Sequence, residues 1–451
     1  MATFDKKAPG VYVEEISKLP PSVASVATAI PGFVGYTEKG TKDTAIRVES
    51  LIDFEEKFGY ACKIAISDED KINGLEYKLH ESMRLFYANG GGICYVVSVG
   101  NYTDAISNTA LETGISMLEP IDEVTMIVVP DAVSLEIKDL ASVQNAALAQ
   151  CLELKDRVAI LDVKDTGNCN TDATNFRNSI GTKGASYGAA YYPYIKSVYD
   201  REINVYDIYK GLELSNQELE NAQYYAELSE PTEESTLFAK QLMSKPEYAK
   251  LVAKIQEQAN LLPPSGAIAG IYCANDNQRG VWHAPANMSV SGISDINVRI
   301  SDKQQGELNE NTSGKCINAI RAFQGKGILV WGARTLDGLS SEWKYISVRR
   351  FFNYVEESIQ ESTAWAVFQP NDANTWVKVR CQIENFLSNL WRDGALAGST
   401  PQEAFYVRVG INQTMTAQDI LNGYMIVEIG MAAVRPAEFI VLQFSHKLQE
   451  S

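Results

Sequence analysis

Residues 423–447 read GYMIVEIGMAAVRPAEFIVLQFSHK. Two apolar runs stand in that stretch, 424–429 and 439–444, both rich in β-branched and aromatic residues. Each is too short and too flat in pattern for a helix, so the sequence predicts two strands. Arg435 and Pro436 separate them. Proline fixes φ and pushes its predecessor towards an extended shape, which makes a stiff joint rather than a tight hairpin. A long apolar strand near a chain end needs an edge to pair with, or it becomes an aggregation site. Towards the other end, Val11, Tyr12, Val13, Glu14 and Glu15 lie between Pro9-Gly10 and Pro20-Pro21 and read as a further short strand. Either these two segments pair within one chain, or each adds to the sheet of a neighbouring copy through main-chain hydrogen bonds.

A chain of 451 residues is expected to hold two domains or more. Its net charge of −17 argues against a nucleic-acid or anionic-membrane binder, because neither would attract that field. No charged-then-apolar leader is visible and no apolar run approaches a membrane span, so the expectation is a chain made and kept in the cytosol. Seven scattered cysteines without a C-x-x-C pair read as free thiols, not as a disulfide frame or a zinc knuckle.

Between the ends, apolar strands at 28–37, 93–99, 124–129, 157–163 and 186–195 alternate with helical stretches at 50–59, 75–88 and 135–152. That rhythm predicts an α/β fold with a mostly parallel sheet and helices on both faces. Residues 200–262 are acid-rich and strand-poor and read as a solvated helical insertion, after which 265–273 returns as a helix on the sheet. Further on, Tyr345, Val348, Phe352, Val355 and Ile359 share one helix face, and Trp376, Val379, Ile383, Phe386 and Leu390 share another. These two helices are expected to cover a sheet built from 327–331, 405–409 and the final strand pair. The expected organisation is a strand arm at 1–22, an α/β body at 23–325, an α+β domain at 326–435 and a second arm at 436–451.

Sites of chemistry are sparse. Gly184, Ser186 and Gly188 match the spacing of a hydrolase elbow, but no helix start follows, and the chain has only His80, His283 and His446. Ser313, Gly314, Lys315 and Cys316 miss the phosphate loop, with Asn309 where its first glycine belongs. Gly90, Gly91 and Gly92 precede a strand, the wrong side for cradling a dinucleotide. No metal-ligand spacing occurs, so no catalytic, cofactor-binding or metal-binding residue is assigned. Arg349 and Arg350 form a basic spot on a helix. They pair with Asn353, Glu356 or Glu357 on the same helix, or they face an acidic partner.

Longer stretches resemble a known family, the contractile tail sheath proteins of phages, R-type pyocins and extracellular contractile injection systems. PGVYVEEISKLPPSVASVATAIPGFVGYTEKG at 9–40 is similar to the family's opening. VWGART at 330–335, WKYISVRR at 343–350, VFQPN at 367–371, FLSNLW at 386–391, GALAG at 394–398, EAF at 403–405 and PAEF at 436–439 are similar to its C-terminal part. HAPAN at 283–287 resembles another family segment, and residues 100–265 match weakly. Gln369, Thr41 and Ala433 depart from the usual pattern and leave the branch of the family open.

The resemblance implies a non-enzymatic structural subunit that forms a six-fold helical homopolymer around an inner tube. Its further partners would be baseplate and tail terminator proteins and paralogous sheath subunits, with no nucleic acid and no membrane insertion. It would assemble in the bacterial cytoplasm as part of a phage tail or a released injection particle. The expected interface residues are Val11, Tyr12, Val13 and Glu14 in one arm and Phe439, Ile440, Val441, Leu442 and Phe444 in the other. Lys378, Arg380 and Arg392 are the expected tube contacts. The alternatives are a non-contractile cap or baseplate component, and an α/β hydrolase.

Overall fold

A computed structural model describes residues 23–67, 71–228, 230–310 and 312–439. The alternation of apolar strands and helices builds a nine-stranded mixed sheet. Its centre runs in the order Ile317–Phe323, Gly188–Tyr192, Val158–Asp162, Met126–Val128, Pro31–Gly35 and Cys94–Ser98, with every pairing parallel. Ala45–Val48 closes one side antiparallel, and Gly327–Val330 followed by Met288–Ser289 closes the other.

Strand side chains alternate between two buried layers, because successive Cβ atoms point to opposite faces. Val34, Val97, Ile127, Ala159 and Leu161 face one layer, with helices Asn108–Ser116, Ile137–Leu154 and Cys169–Ser179. Phe33, Val96, Val128, Ile160 and Tyr191 face the other, with helices Leu51–Phe58, Leu79–Ala88 and Ser265–Arg279. Local chemistry sets the ends of these helices. Ser50 accepts from Asp53 N at 3.1 Å, and Gly59 leaves the same helix at φ +83°, a conformation that favours glycine.

In open α/β sheets, ligands sit at the carboxyl ends of the parallel strands. Here the chain's own backbone takes two positions there. Asp131, just past Met126–Val128, accepts from Tyr36 N at 2.7 Å and Lys78 N at 2.5 Å. Asp162, the last residue of its strand, accepts from Ser265 N at 2.9 Å. Burial pushes the carboxyls up to about 6 for Asp131 and about 7 for Asp162, against the hydrogen bonds that favour ionisation.

The insertion is a helical subdomain. Helices Val205–Ile208, Asn216–Ala226, Glu233–Met243 and Pro246–Ala259 surround Val205, Tyr209, Leu212, Ala222, Phe238 and Leu242. Ser215 and Thr232 open two of them with capping boxes. At its root, Arg201 is buried against Glu81 and donates to Tyr77 O at 2.7 Å.

By compactness the described residues form two units, 26–357 with 435–439, and 358–434 with 23–25. The division falls inside the helix Ile346–Thr363, not at 326, because Gly327–Val330 hairpins with Ile317–Phe323 into the large sheet. This also corrects the expected C-terminal sheet: 327–331 does not join 405–409. The strand expected at 424–429 is likewise shifted, to Glu428–Met431. Tyr424 N closes the preceding turn onto Asp419 O at 2.8 Å, and Ile426 O accepts from Thr414 Oγ1 at 2.7 Å, so that run is turn first and strand second.

Asp162 gives a test of the sheet's closed end. Its folded-state pKa lies above its ordinary value of 3.8, so the folded chain holds a proton that the unfolded chain has released between about pH 4 and pH 7. Stability from this group is therefore present at low pH and lost as pH rises through that window. Asp162→Asn should gain stability relative to the parent between pH 4.5 and pH 7.5, as read from urea midpoints. A constant difference would rule out a neutral buried carboxyl.

Candidate assembly interface

In the smaller unit, Asp372 caps the helix Ala373–Arg392 by accepting from Thr375 N at 3.0 Å. Val379, Ile383, Phe386, Leu387 and Leu390 are its buried stripe, as their spacing of three and four requires. Two polar ties fix the neighbouring loop: Trp365 Nε1 donates to Gln382 Oε1 at 2.9 Å, and Trp376 Nε1 donates to Asn371 Oδ1 at 2.7 Å.

A two-stranded antiparallel sheet completes the unit. Phe405–Arg408 pairs with Glu428–Met431 in the register Phe405↔Met431 to Arg408↔Glu428. Gly430 faces Tyr406, and a Cβ there would overlap the tyrosine ring. Tyr406 donates to Glu428 Oε1 at 2.9 Å. Among the described residues no third strand joins this pair, although Phe405 N already donates to Pro401 O at one edge. The sequence places 405–409 in one sheet with the run that includes Glu428 and Ile429, and the structure sets the register, which apolar runs alone do not specify.

Of the expected interface residues, Val11, Tyr12, Val13, Glu14, Ile440, Val441, Leu442 and Phe444 lie outside the described residues. Phe439 is described, stands outside any strand and is 70% exposed. The three expected tube contacts do not share a face. At about 100° per residue, Lys378 and Arg392 stand about 40° apart on the helix, while Arg380 lies about 120–160° from either. Lys378 and Arg392 are exposed; Arg380 is partly covered and stands 3.8 Å from Glu384.

The basic spot on the preceding helix is buried. Arg349 donates to Asn353 Oδ1 at 2.8 Å, a same-helix pairing, and lies 4.0 Å over Trp343. Arg350 instead crosses to Asp276, at 3.0 and 2.6 Å, and donates to Thr28 O at 2.8 Å. Neither side chain faces out.

The other motifs also have local explanations. Ser186 sits in a helical turn, Ala185–Tyr187, that leads into the strand Gly188–Tyr192, the reverse of the strand-to-helix order of a hydrolase elbow. Lys315 Nζ donates to Arg177 O at 2.7 Å and to Ile180 O, at the carboxyl end of the helix Cys169–Ser179. Among the described residues no group of three or more His, Cys, Asp or Glu could hold a metal ion, and no helix is long and apolar enough to cross a membrane.

The family model of the phage tail sheath protein central domain matches residues 104–336, and that of the phage tail sheath C-terminal domain matches residues 340–447. The tail sheath protein of Vibrio phage KVP40 is 23% identical over 192 residues, covering 42% of this chain and 27% of that protein. The chain spans less than half the length of the curated relatives it matches. Solved structures align over nearly the whole chain. The sheath complex of an extracellular contractile injection system, PVC, in its contracted state has a TM-score of 0.69 at 32% identity, covering 99% of each chain. The contracted helical sheath of the anti-feeding prophage (AFP) has a TM-score of 0.67 at 30% identity, covering 97% of this chain and 99% of that one.

The Arg350–Asp276 pair is 3% and 2% exposed, so removing one partner strands a buried charge. Asp276→Ala should lower unfolding stability by about 3–5 kcal/mol in urea titrations. Replacing both residues with apolar ones of similar volume should recover most of it. A loss under about 1 kcal/mol for Asp276→Ala would mean that Arg350 reaches water.

Proposed function

This chain belongs to the phage tail sheath protein family, and from that premise we propose that it is the repeating subunit of a contractile sheath. Copies assemble as a six-fold helix around an inner tube, between baseplate and terminator, and shorten on a baseplate signal to drive the tube through a target envelope. Strands from the segments around Val11–Val13 and 439–444 add to the open edges of the Phe405–Arg408 and Glu428–Met431 pair of neighbouring copies.

The observation that carries this reading is a two-stranded sheet that no third strand joins among the described residues. A pair of short strands is marginal alone and gains from each strand added to it. Head-to-tail addition of that kind does not close on itself, and it yields a filament. Contraction draws on surface newly buried between rotating subunits, with no nucleotide involved. A few kcal/mol per subunit, typical of coupled conformational shifts, becomes a large output over hundreds of copies. The near full-length likeness to two sheaths in the contracted state supports the contractile reading.

Deleting residues 1–15 should leave a folded, soluble subunit that forms no contracting sheath with its inner tube, as seen by negative-stain electron microscopy. Full-length-like contraction by the truncated chain would remove strand exchange from the reading.

For the tube contact, Lys378 and Arg392 are favoured over Arg380 because they share one exposed side of their helix. Lys378→Glu with Arg392→Glu should weaken co-sedimentation with purified inner tube, most visibly at low salt, whereas Arg380→Glu should not. Equal effects from all three positions would reject that face.

A further inference from the structure

Two segments far apart in sequence meet at Glu438. Arg334 Nε donates to Glu438 Oε1 at 2.8 Å and Arg334 Nη2 donates to Glu438 Oε2 at 2.6 Å, a two-pronged pair. Tyr345 Oη donates to Glu438 Oε2 at 3.0 Å, and Lys344 Nζ stands 3.8 Å away. The third guanidinium nitrogen, Nη1, donates to Asn309 O at 2.8 Å.

Arg334 is itself held from behind. Asn318, wholly buried in the strand Ile317–Phe323, accepts from Arg334 N at 2.7 Å and donates to Arg334 O at 2.8 Å. Gly332 leaves room for that amide: a Cβ there would lie 2.7 Å from Asn318 Oδ1. A continuous set of bonds therefore runs from the large sheet through Asn318 and Arg334 to Glu438.

Most exposed ion pairs contribute little, but this one is shielded, with side-chain exposures of 2% for Arg334 and 20% for Glu438. Burial pushes the Glu438 carboxyl up, and the Arg334 guanidinium and the Tyr345 hydroxyl outweigh it and hold the group below the usual range. Residues 435–439 lie in no helix or strand, and the side chain of Glu438 ties them to Arg334 and Tyr345 of the larger unit. One residue later, Phe439 is 70% exposed.

We propose that the Arg334–Glu438 pair is the root of the C-terminal segment: it pins residues 435–439 to the large sheet, so that a pull on the residues beyond is delivered to that sheet. Arg334 and Glu438 are positioning residues, and the proposal rests on the reading that the terminal segments join neighbouring copies. The grip lies where the chain leaves the surface, and it is a charge-assisted fork instead of a ladder of main-chain bonds. It therefore fixes position while leaving the backbone free to swing.

The test is limited chymotrypsin digestion of the full chain as an unassembled subunit, parent beside Glu438→Gln. Cleavage after Phe439 should be roughly tenfold faster or more in the variant, with cleavage elsewhere in the larger unit unchanged. Unchanged cleavage after Phe439, or faster cleavage throughout the larger unit, would overturn the proposal. Arg334→Lys keeps the charge and loses the fork, and should give the same local result if Glu438→Gln folds poorly. In assembly with inner tube, Glu438→Gln should yield fewer tubes, as should deletion of 440–451. Normal tubes from the deletion would dismiss strand exchange while leaving the proteolysis result on the root intact. Normal tubes from Glu438→Gln beside none from the deletion would dismiss the root alone.

Discussion

Every strand edge carries main-chain donors and acceptors that must find partners, and this chain meets that constraint in two opposite ways. The large sheet ends in short antiparallel strands, Ala45–Val48 on one side and Met288–Ser289 on the other, so little ladder is left open. The small sheet, Phe405–Arg408 with Glu428–Met431, has no flanking strand among the described residues. A finished sheet makes a rigid body, and an unfinished one makes a place where another chain can bond. In the function proposed above, that difference would separate the part that holds its shape from the part that joins copies.

The rigid body is stiffened where an α/β enzyme would be open. Asp131 and Asp162 stand at the carboxyl ends of parallel strands and are turned onto backbone N–H groups of Tyr36, Lys78 and Ser265. Charges elsewhere are used the same way: Arg350 with Asp276 and Arg201 with Glu81 are buried pairs that tie separate elements together. Such pairs add little net stability over apolar packing, but a wrong arrangement that separates them costs several kcal/mol, so they select one register of packing.

A good part of the fold was legible along the chain. The alternating apolar runs at 93–99, 124–129 and 157–163 became parallel strands, since a run buried on both faces has no other easy home. Ser50, Gly59 and Asp372 marked helix ends through local bonds that need no distant partner. The helix faces of Val348, Val355 and Ile359 and of Val379, Ile383 and Phe386 are buried as their spacing required. Other features were less legible. The strand Ile317–Phe323 went unread, 327–331 was placed in the wrong sheet, and Arg350, expected to pair along its own helix or to face an acidic partner, is buried against Asp276.

By itself the sequence determined the α/β class, the helical character of the insertion, the acidic surface and the stretches by which the family is recognised, because these depend on periodicity, composition and local motifs. Only the tertiary structure decided which strand each edge accepts, that Asp276 and not a same-helix acid neutralises Arg350, and that Glu438 meets Arg334 across about a hundred residues. Those outcomes are long-range pairings. A strand's hydrogen-bonding edge and a buried charge are satisfied by whatever the fold brings within about 3 Å, and no spacing in the chain encodes that neighbour.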